Sequence, residues 1–231
     1  MASITASPPF LALDEDEVPE RRIPMTYDEY WAWGQQEGHH GEWVDGEVIV
    51  FMTTSDRHQR ILSHLMLVLG NYLSRRRLGR IYSQTFEMRS RDGAAREPDI
   101  VVLLNEHLAR LESVRVRGAA DLAVEIISPD SVTRDRKVKL AEYAAAGLPE
   151  YWVVDPRERH ESIQILALGE EGEYVAVQPG PDGRLWSTVL SGVWADPAWL
   201  AYDDELPDSV TLSLAMVAAA ESGGSTPPTD C

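Results

Sequence analysis

The residues best suited to chemistry are two carboxylates that lie within apolar segments in the middle of the chain. Asp99 follows Pro98 at the start of the run IVVLL, and Glu125 lies inside the run LAVEII. A charge inside a buried strand is costly unless it is paired with an opposite charge or bound to a metal ion. Asp99 and Glu125 are therefore candidate metal ligands, and a structural salt bridge to an arginine is the competing explanation for Glu125.

Lysine is the second unusual feature, because only two of the 21 basic residues are lysines, Lys137 and Lys139. Lysine is a compact charge whose pKa responds to its surroundings, whereas arginine is a planar fork that stays charged. A site that positions a water beside a metal ion favours lysine, and two lysines on an exposed helix are the plainer interpretation. On a helix the two lie about 200° apart, so only one can face the acids. We place Lys139 with Asp135, Arg136, Glu142 and Tyr143, and Lys137 with Arg134 and Ala141.

The elements that must position these residues can be read from periodicity and caps. Thr26 and Glu29 have capping-box spacing, which predicts a helix at 25–33. Asp45-Gly46 between β-forming residues predicts a hairpin at 43–50. Apolar residues at three- and four-residue spacing predict a long helix at 56–78, with Ser55 as its cap and Gly79 as its end.

Buried strands and shorter helices follow. Apolar runs predict strands at about 80–89, 98–104, 121–127 and 151–155, and a hairpin at 161–168 and 173–178. Helices are expected at 105–111 and 133–146. This order of elements predicts an α/β fold built around a mixed sheet. The seven tryptophans are interpreted as packing residues and not as a base-stacking platform.

Charge divides the chain into a domain and two tails. The net charge is -17, but residues 25–160 carry 21 acidic and 18 basic residues, so most of the excess negative charge lies outside this region. We therefore expect a disordered acidic tail at 1–24, one domain at 25–206 and a second tail at 207–231 that could hold a short helix. No apolar stretch is long enough to span a bilayer, and the single cysteine, Cys231, excludes an intrachain disulfide. A cytoplasmic protein without membrane contact is expected.

Several phrases together resemble a known family. Pro98-Asp99, Glu125 on a later strand and a lysine on the next helix resemble the PD-(D/E)XK nuclease superfamily. The usual lysine position, two residues after the second acid, is Ile127 here, so the lysine would have migrated to the helix. This form resembles the Uma-type, restriction-endonuclease-like family. The match runs through the phrases MTYDEY, Glu42 with Asp45-Gly46-Glu47, RHQRI, EPDIVVL, LAVEIISPDS, Asp135 to Tyr143 and GLPEYWVVDP.

The resemblance implies both a fold and a set of roles. It implies a restriction-endonuclease-like mixed β-sheet flanked by helices, Asp99 and Glu125 as metal ligands, and Lys139 as the catalytic lysine. Glu42 would be a further acid at the site, and His58 and Gln59 would lie near it. The backbone carbonyl of Ile126 would complete a Mg²⁺ site, in which Mn²⁺ could substitute. The implied partners are nucleic acid, DNA above all, and a second copy of the chain in a homodimer.

Two other classes of function remain open. The broken lysine position and the overall acidity favour a module that keeps the nuclease fold but binds nucleic acid or protein without cleavage. Paired carboxylates also occur in glycoside hydrolases, but that reading leaves the lysines unexplained.

Overall fold

The computed structural model describes residues 17–36, 38–201 and 206–223. The α-helices in these ranges are α1 (Tyr27–Gly34), α2 (Asp56–Arg76), α3 (Lys139–Ala145) and α4 (Ser209–Glu221). The strands, in chain order, are β1 (Arg21–Pro24), β2 (Gly41–Val44), β3 (Glu47–Val50), β4 (Gly79–Ser83), β5 (Glu87–Arg89), β6 (Ala94–Ala95), β7 (Ile100–Leu104), β8 (Arg115–Arg117), β9 (Leu122–Ile126), β10 (Glu150–Asp155), β11 (Ser162–Leu168), β12 (Tyr174–Ala176), β13 (Leu185–Trp186) and β14 (Trp194–Ala195). Two 3₁₀ helices, Asn105–Arg110 and Pro197–Ala201, and a π-helical turn, Arg134–Val138, complete the described elements.

A six-stranded sheet forms the centre of the molecule, with strand order β12-β11-β10-β9-β7-β4. The β9 and β10 strands are parallel, and the other neighbouring strands are antiparallel. A second sheet has the order β1-β3-β2-β6. The predicted α/β architecture with a mixed sheet is therefore confirmed. Among the described residues, no helix is both long and apolar enough to cross a membrane.

Helices cover both faces of the central sheet. Successive side chains of a strand point to opposite faces, so one strand contributes to two cores. Ile100 and Val102 of β7 pack in one core with Leu69 of α2. Val101 of β7 packs in the other core with Tyr143 of α3. The side chain of Glu125 lies on the same face of β9 as that of Ala123, and Ala123 belongs to the core that contains Tyr143 of α3. The carboxylate of Glu125 is therefore presented to α3.

Local signals in the sequence set most of the element boundaries. Thr26 caps α1 in a capping box with Glu29, as predicted. The hairpin turn at Asp45-Gly46 has φ values of 49° and 89°, as expected of a two-residue turn. Ser55 caps α2 by accepting a hydrogen bond from the backbone N–H of His58.

The end of α2 differs from the prediction. The helix ends at Arg76 and is capped by Arg77, which takes the left-handed conformation with φ 53°, and not by Gly79. A Cβ atom at Gly79 would lie 2.3 Å from the carbonyl oxygen of Leu103. Glycine is therefore needed there because β4 approaches β7 closely, and not because it stops the helix.

Three predicted boundaries are wrong. The strand expected at 80–89 is two strands, β4 and β5, which belong to different sheets. Residues 21–24, expected in a disordered tail, form β1 and pair with β3. The short helix expected in the C-terminal tail is present as α4, but it belongs to the packed domain, since Met216 is fully buried in the core with α2. The rest of the predicted tails, 1–16 and 224–231, lies outside the described residues.

Candidate active site

Asp99 and Glu125 are brought together by the register of β7 and β9. Ile100 pairs with Val124 in this antiparallel ladder, so the next step sets Asp99 opposite Glu125. Both residues are largely buried, with 8% and 3% of their surface exposed. The two acids therefore converge at one end of the central strands, as the sequence predicts.

The carboxylate of Asp99 is held by groups from three different segments. Its Oδ1 accepts a hydrogen bond from Gln84 Nε2 at 3.0 Å, and its Oδ2 accepts one from the backbone N–H of Ile126 at 2.7 Å. His58 Nε2 of α2 lies 3.4 Å from the same Oδ2. Burial lowers the pKa of His58, but the hydrogen bond and charge of Asp99 outweigh burial and raise it above its ordinary value. These contacts fix the orientation of the Asp99 side chain.

Lys139 is the cation at the centre of the acid cluster. Its ammonium donates a hydrogen bond to Glu125 Oε1 at 2.8 Å, and Nζ also lies 2.8 Å from Glu42 Oε1. Asp135 Oδ1, one helical turn earlier, is 3.3 Å away. Tyr143, one turn later, donates to Glu125 Oε1 at 3.0 Å. One face of the helix therefore supplies Asp135, Lys139 and Tyr143 to the same acid cluster.

The electrostatics of this cluster decide which groups are charged. Burial alone would lower the pKa of Lys139, but the carboxylates of Glu125, Glu42 and Asp135 raise it above its usual value, so the ammonium stays charged. Burial raises the pKa of Glu125. Lys139 opposes this effect, and the nearby acids add to it. Burial also acts to raise the pKa of Glu42, but Lys139, Arg96 and Arg134 lower it to about 2. Lys139 therefore stays charged among three acids, and a bound cation would favour the ionised form of Glu125.

Glu42 lies beneath the site and not on its wall. It is fully buried on β2, where its Oε1 accepts a hydrogen bond from the backbone N–H of Glu97 at 3.0 Å. Arg96 Nη1 donates to Glu42 Oε2 at 3.1 Å, and Arg96 Nη2 donates to Glu142 at 2.7 Å. Glu42 therefore contacts Lys139 from beneath and does not line the pocket.

The helix that carries Lys139 begins with a π turn, which changes the predicted faces. The backbone N–H of Lys139 donates to the carbonyl of Arg134, a bond that spans five residues. In an α-helix two such positions would point about 140° apart, and the wider turn brings them closer. The assignment of Arg134 to the side of Lys137 is therefore wrong, since Arg134 is buried and lines the pocket with Lys139.

Two other residues expected near the site lie elsewhere. Arg136, predicted on the face of Lys139, donates instead to Asp155 Oδ2 at 2.6 Å. Gln59 donates to Thr54 Oγ1 at 2.8 Å, whereas its neighbour His58 reaches Asp99.

These side chains surround a pocket of about 360 Å³. Five residues that the sequence predicts at or near the site lie on its wall: His58, Asp99, Glu125, Ile126 and Lys139. Sequence reasoning missed Gln84, Arg96 and the pocket position of Arg134. The spacing of Asp135 and Tyr143 around Lys139 signals a shared helix face, but no local pattern marks Gln84 as a partner of Asp99.

The donors on the wall suit a hard cation that keeps most of its waters. Within the described residues, no three or more His, Cys, Asp or Glu side chains form a ready metal-binding group. The wall instead offers the carboxylates of Asp99 and Glu125 and the backbone of Ile126. Asp135 Oδ1 is buried and accepts no hydrogen bond, although the Lys139 ammonium lies 3.3 Å away. Mg²⁺ is usually bound through one or two carboxylates and retains several waters, so the residues fit it.

A mixed sheet with opposed acids and a lysine from a flanking helix defines a protein of the restriction-endonuclease-like class. The sequence profile of Uma2, described as "putative restriction endonuclease", matches residues 27–198. The chain therefore belongs to the Uma2 family.

Comparison with solved structures supports the fold. A crystal structure of a "putative nuclease belonging to DUF820" from Anabaena variabilis matches with a TM-score of 0.59 and 20% sequence identity. The match covers 77% of this chain and 97% of the other. A search among proteins with curated functions finds no match.

Proposed function

We propose that this protein is a Mg²⁺-dependent endonuclease that hydrolyses phosphodiester bonds of nucleic acid, with DNA as the preferred substrate and Mn²⁺ able to replace Mg²⁺. The observation that carries the proposal is the ammonium of Lys139, 2.8 Å from Glu125 Oε1, beside a carboxylate set opposite Asp99. Membership of a family described as restriction endonucleases supports the same reaction class.

Each residue of the site has a distinct task in this reaction. A divalent cation held by Asp99, Glu125 and the Ile126 carbonyl would neutralise phosphate charge and make a bound water more acidic. Lys139 donates hydrogen bonds toward the attacking water and offsets the negative charge that develops on the phosphate. Gln84 and the Ile126 N–H keep the carboxylate of Asp99 oriented. Glu42 holds Lys139 from below.

The charge distribution supports a polyanionic substrate in spite of the overall acidity. Residues 25–160 are close to neutral, and the pocket wall carries His58, Arg134 and Lys139. Arginines between Arg57 and Arg136 would supply further contacts to phosphates, so affinity should fall linearly with salt on logarithmic axes. A cut through both strands of a duplex requires two such sites, and a homodimer is part of this proposal.

One observation favours a second candidate, a binding module without cleavage. The ammonium of Lys139 already has Glu125, Glu42 and Asp135 as partners. A cluster whose charges largely neutralise one another is also expected in a protein that kept the fold and no longer cleaves nucleic acid.

A cleavage assay separates the two candidates. Protein freed of metal with EDTA is incubated with supercoiled plasmid and with labelled single-stranded DNA and RNA, with and without Mg²⁺ or Mn²⁺. The endonuclease proposal expects cleavage only with the added ion, and a loss of at least a hundredfold in Glu125→Gln. Glu170→Gln, on an exposed turn, is the matched control. Binding without cleavage under all conditions would support the non-cleaving module.

A further inference from the structure

A second cavity of about 220 Å³ adjoins the catalytic pocket. The two cavities share three wall residues, His40, Thr85 and Glu97. The two cavities therefore lie side by side, with the candidate catalytic acids in one and a different set of side chains in the other.

Aromatic side chains form much of the wall of this second chamber: Tyr30, Trp31, Trp33 and His39. Trp31 is 40% exposed, so the interpretation of this tryptophan as a packing residue is wrong. The rings of Trp33 and His39 are already stacked, with centres 4.6 Å apart and an angle of 17° between their planes. The facing sides of Trp33 and His39 therefore cover each other, whereas the exposed ring of Trp31 offers a flat surface to a flat ligand.

Two acids, Glu87 and Glu97, are among the polar groups on the chamber wall. Glu87 is 3% exposed and pairs with Arg89 and Arg115, so its charge is largely neutralised. Glu97 is the acid proposed to face a ligand, and its Oε1 accepts a hydrogen bond from the Tyr30 hydroxyl at 2.9 Å. Carboxylates repel phosphate but accept hydrogen bonds from the N–H groups of a base edge. The chamber therefore suits an uncharged ring with N–H donors and not the nucleic-acid backbone.

The two chambers are close enough to hold neighbouring parts of one nucleic-acid strand. Glu97 precedes the catalytic Asp99 by two residues, a separation of roughly 6.5 Å along an extended chain. Thr85, at the junction, has a φ of 68°, a rare conformation for a β-branched residue. Such strained positions cluster at functional sites, and this one lies beside Gln84, the partner of Asp99.

We propose that the second chamber binds one unpaired nucleobase of the substrate, next to the phosphate that is cut. The base stacks on the aromatic wall beside Trp31, and Glu97 accepts hydrogen bonds from its N–H groups. This inference rests on the proposed endonuclease function and deepens it, since it assigns the enzyme a substrate with an unstacked base, such as a single strand or a flipped nucleotide.

Binding of labelled twelve-nucleotide single strands in EDTA tests the proposal without cleavage. The strands are intact or carry one abasic residue at each position in turn, and the proteins are wild type, Trp31→Ala and Trp31→Phe. Val175→Ala, on the exposed face of β12, is the control. We expect Trp31→Ala to weaken binding about tenfold and Trp31→Phe to restore most of it, because stacking on one aromatic ring is worth about this much.

The abasic series supplies the decisive comparison. One abasic position should weaken binding to the wild type but cost Trp31→Ala little more, because both changes remove the same contact. Equal affinity of Trp31→Ala and wild type, or an undiminished abasic effect in the variant, overturns the base chamber. If either of those results is obtained and the wild type cleaves nucleic acid, the endonuclease proposal holds and the base chamber is rejected. The expected binding pattern without cleavage supports the chamber and contradicts the endonuclease.

Discussion

The Nζ atom of Lys139 lies 2.8 Å from Oε1 of Glu125, although one residue belongs to a helix layer and the other to the central sheet. Both side chains are almost completely buried. The contact joins the layer that carries the cation to the strand that carries the acid. The geometry of the site therefore depends on how the helix at 134–145 packs on β9.

Metal binding should depend on Asp99. Asp99→Asn keeps the size of the side chain but removes a charge from the proposed ligand set, so the heat of Mn²⁺ binding measured by calorimetry should disappear. The fold should persist, because the change opens no cavity. Glu170→Gln serves as the control, and unchanged Mn²⁺ affinity in Asp99→Asn would mean that Asp99 is not a ligand.

The buried arginine beneath the site should be important for stability. Arg96 is 1% exposed and pairs with both Glu42 and Glu142, so Arg96→Met removes a buried cation that the two acids share. Removing one member of a buried ion pair costs about 3 to 5 kcal/mol of the free energy of unfolding. Arg117, which is exposed and pairs with Glu112, is the matched control, and Arg117→Met should cost less than about 1 kcal/mol. Urea unfolding measures both variants, and similar losses would contradict this assignment.

The segment before β1 should oppose nucleic-acid binding. Glu17 accepts hydrogen bonds from the backbone N–H and the hydroxyl of Thr133, and Glu20 pairs with Arg134 at 2.6 Å. These acids hold negative charge beside the pocket wall and engage one of its cations. Deletion of residues 1–20 should therefore tighten DNA binding at low salt.

Salt and a matched variant check the origin of that effect. The gain from the deletion should shrink as salt rises to about 0.5 M, because salt screens the repulsion between these acids and the phosphates of the DNA. Glu170→Gln with Glu171→Gln, in the exposed turn between β11 and β12, removes two acids far along the chain from this segment. Weaker binding after the deletion would indicate instead that the segment supports the site.

His64 should make the protein less stable in mild acid. Burial lowers the pKa of His64, and its Nε2 has no hydrogen-bond partner beside Trp199. The unfolded chain therefore binds a proton that the folded chain resists, and stability falls as the pH drops below about 6.5, by at most about 1.4 kcal/mol per pH unit.

The variant His64→Phe isolates this contribution. Its free energy of unfolding, measured from pH 7.5 to 5, should fall less steeply with acid than that of the wild type. His40→Gln, at an exposed position, is the control. Identical slopes for wild type and His64→Phe would contradict the assignment of His64.

Local patterns in the sequence predict much of the fold and part of the site. Caps, the Asp45-Gly46 turn and apolar runs each depend on neighbouring residues, so the helices and central strands could be placed. The approach of Asp99 to Glu125 could be expected because Asp99 lies at the start of one buried strand and Glu125 lies within another. Lys139 could be selected over Lys137 from the face it shares with Asp135 and Tyr143.

What the sequence does not reveal depends on contacts between distant segments. The π turn that brings Arg134 beside Lys139 has no local signal. Arg96 joins Glu42 to Glu142, which are 100 residues apart in the sequence. The ordering of residues 17–24 likewise depends on β3 and on Thr133, so the composition of that segment alone suggested a tail.

Single-turnover cleavage by Lys139→Arg and Lys137→Arg tests the central claim most directly. Lys139 is buried among Glu125, Glu42 and Asp135, so a bulkier planar guanidinium cannot replace its compact ammonium. Lys137 is only partly buried, and arginine keeps its charge there. With circular dichroism showing that both variants are folded, we predict that metal-dependent cleavage is lost in Lys139→Arg and nearly unchanged in Lys137→Arg. Wild-type activity in Lys139→Arg, or a larger loss in Lys137→Arg, would contradict the account.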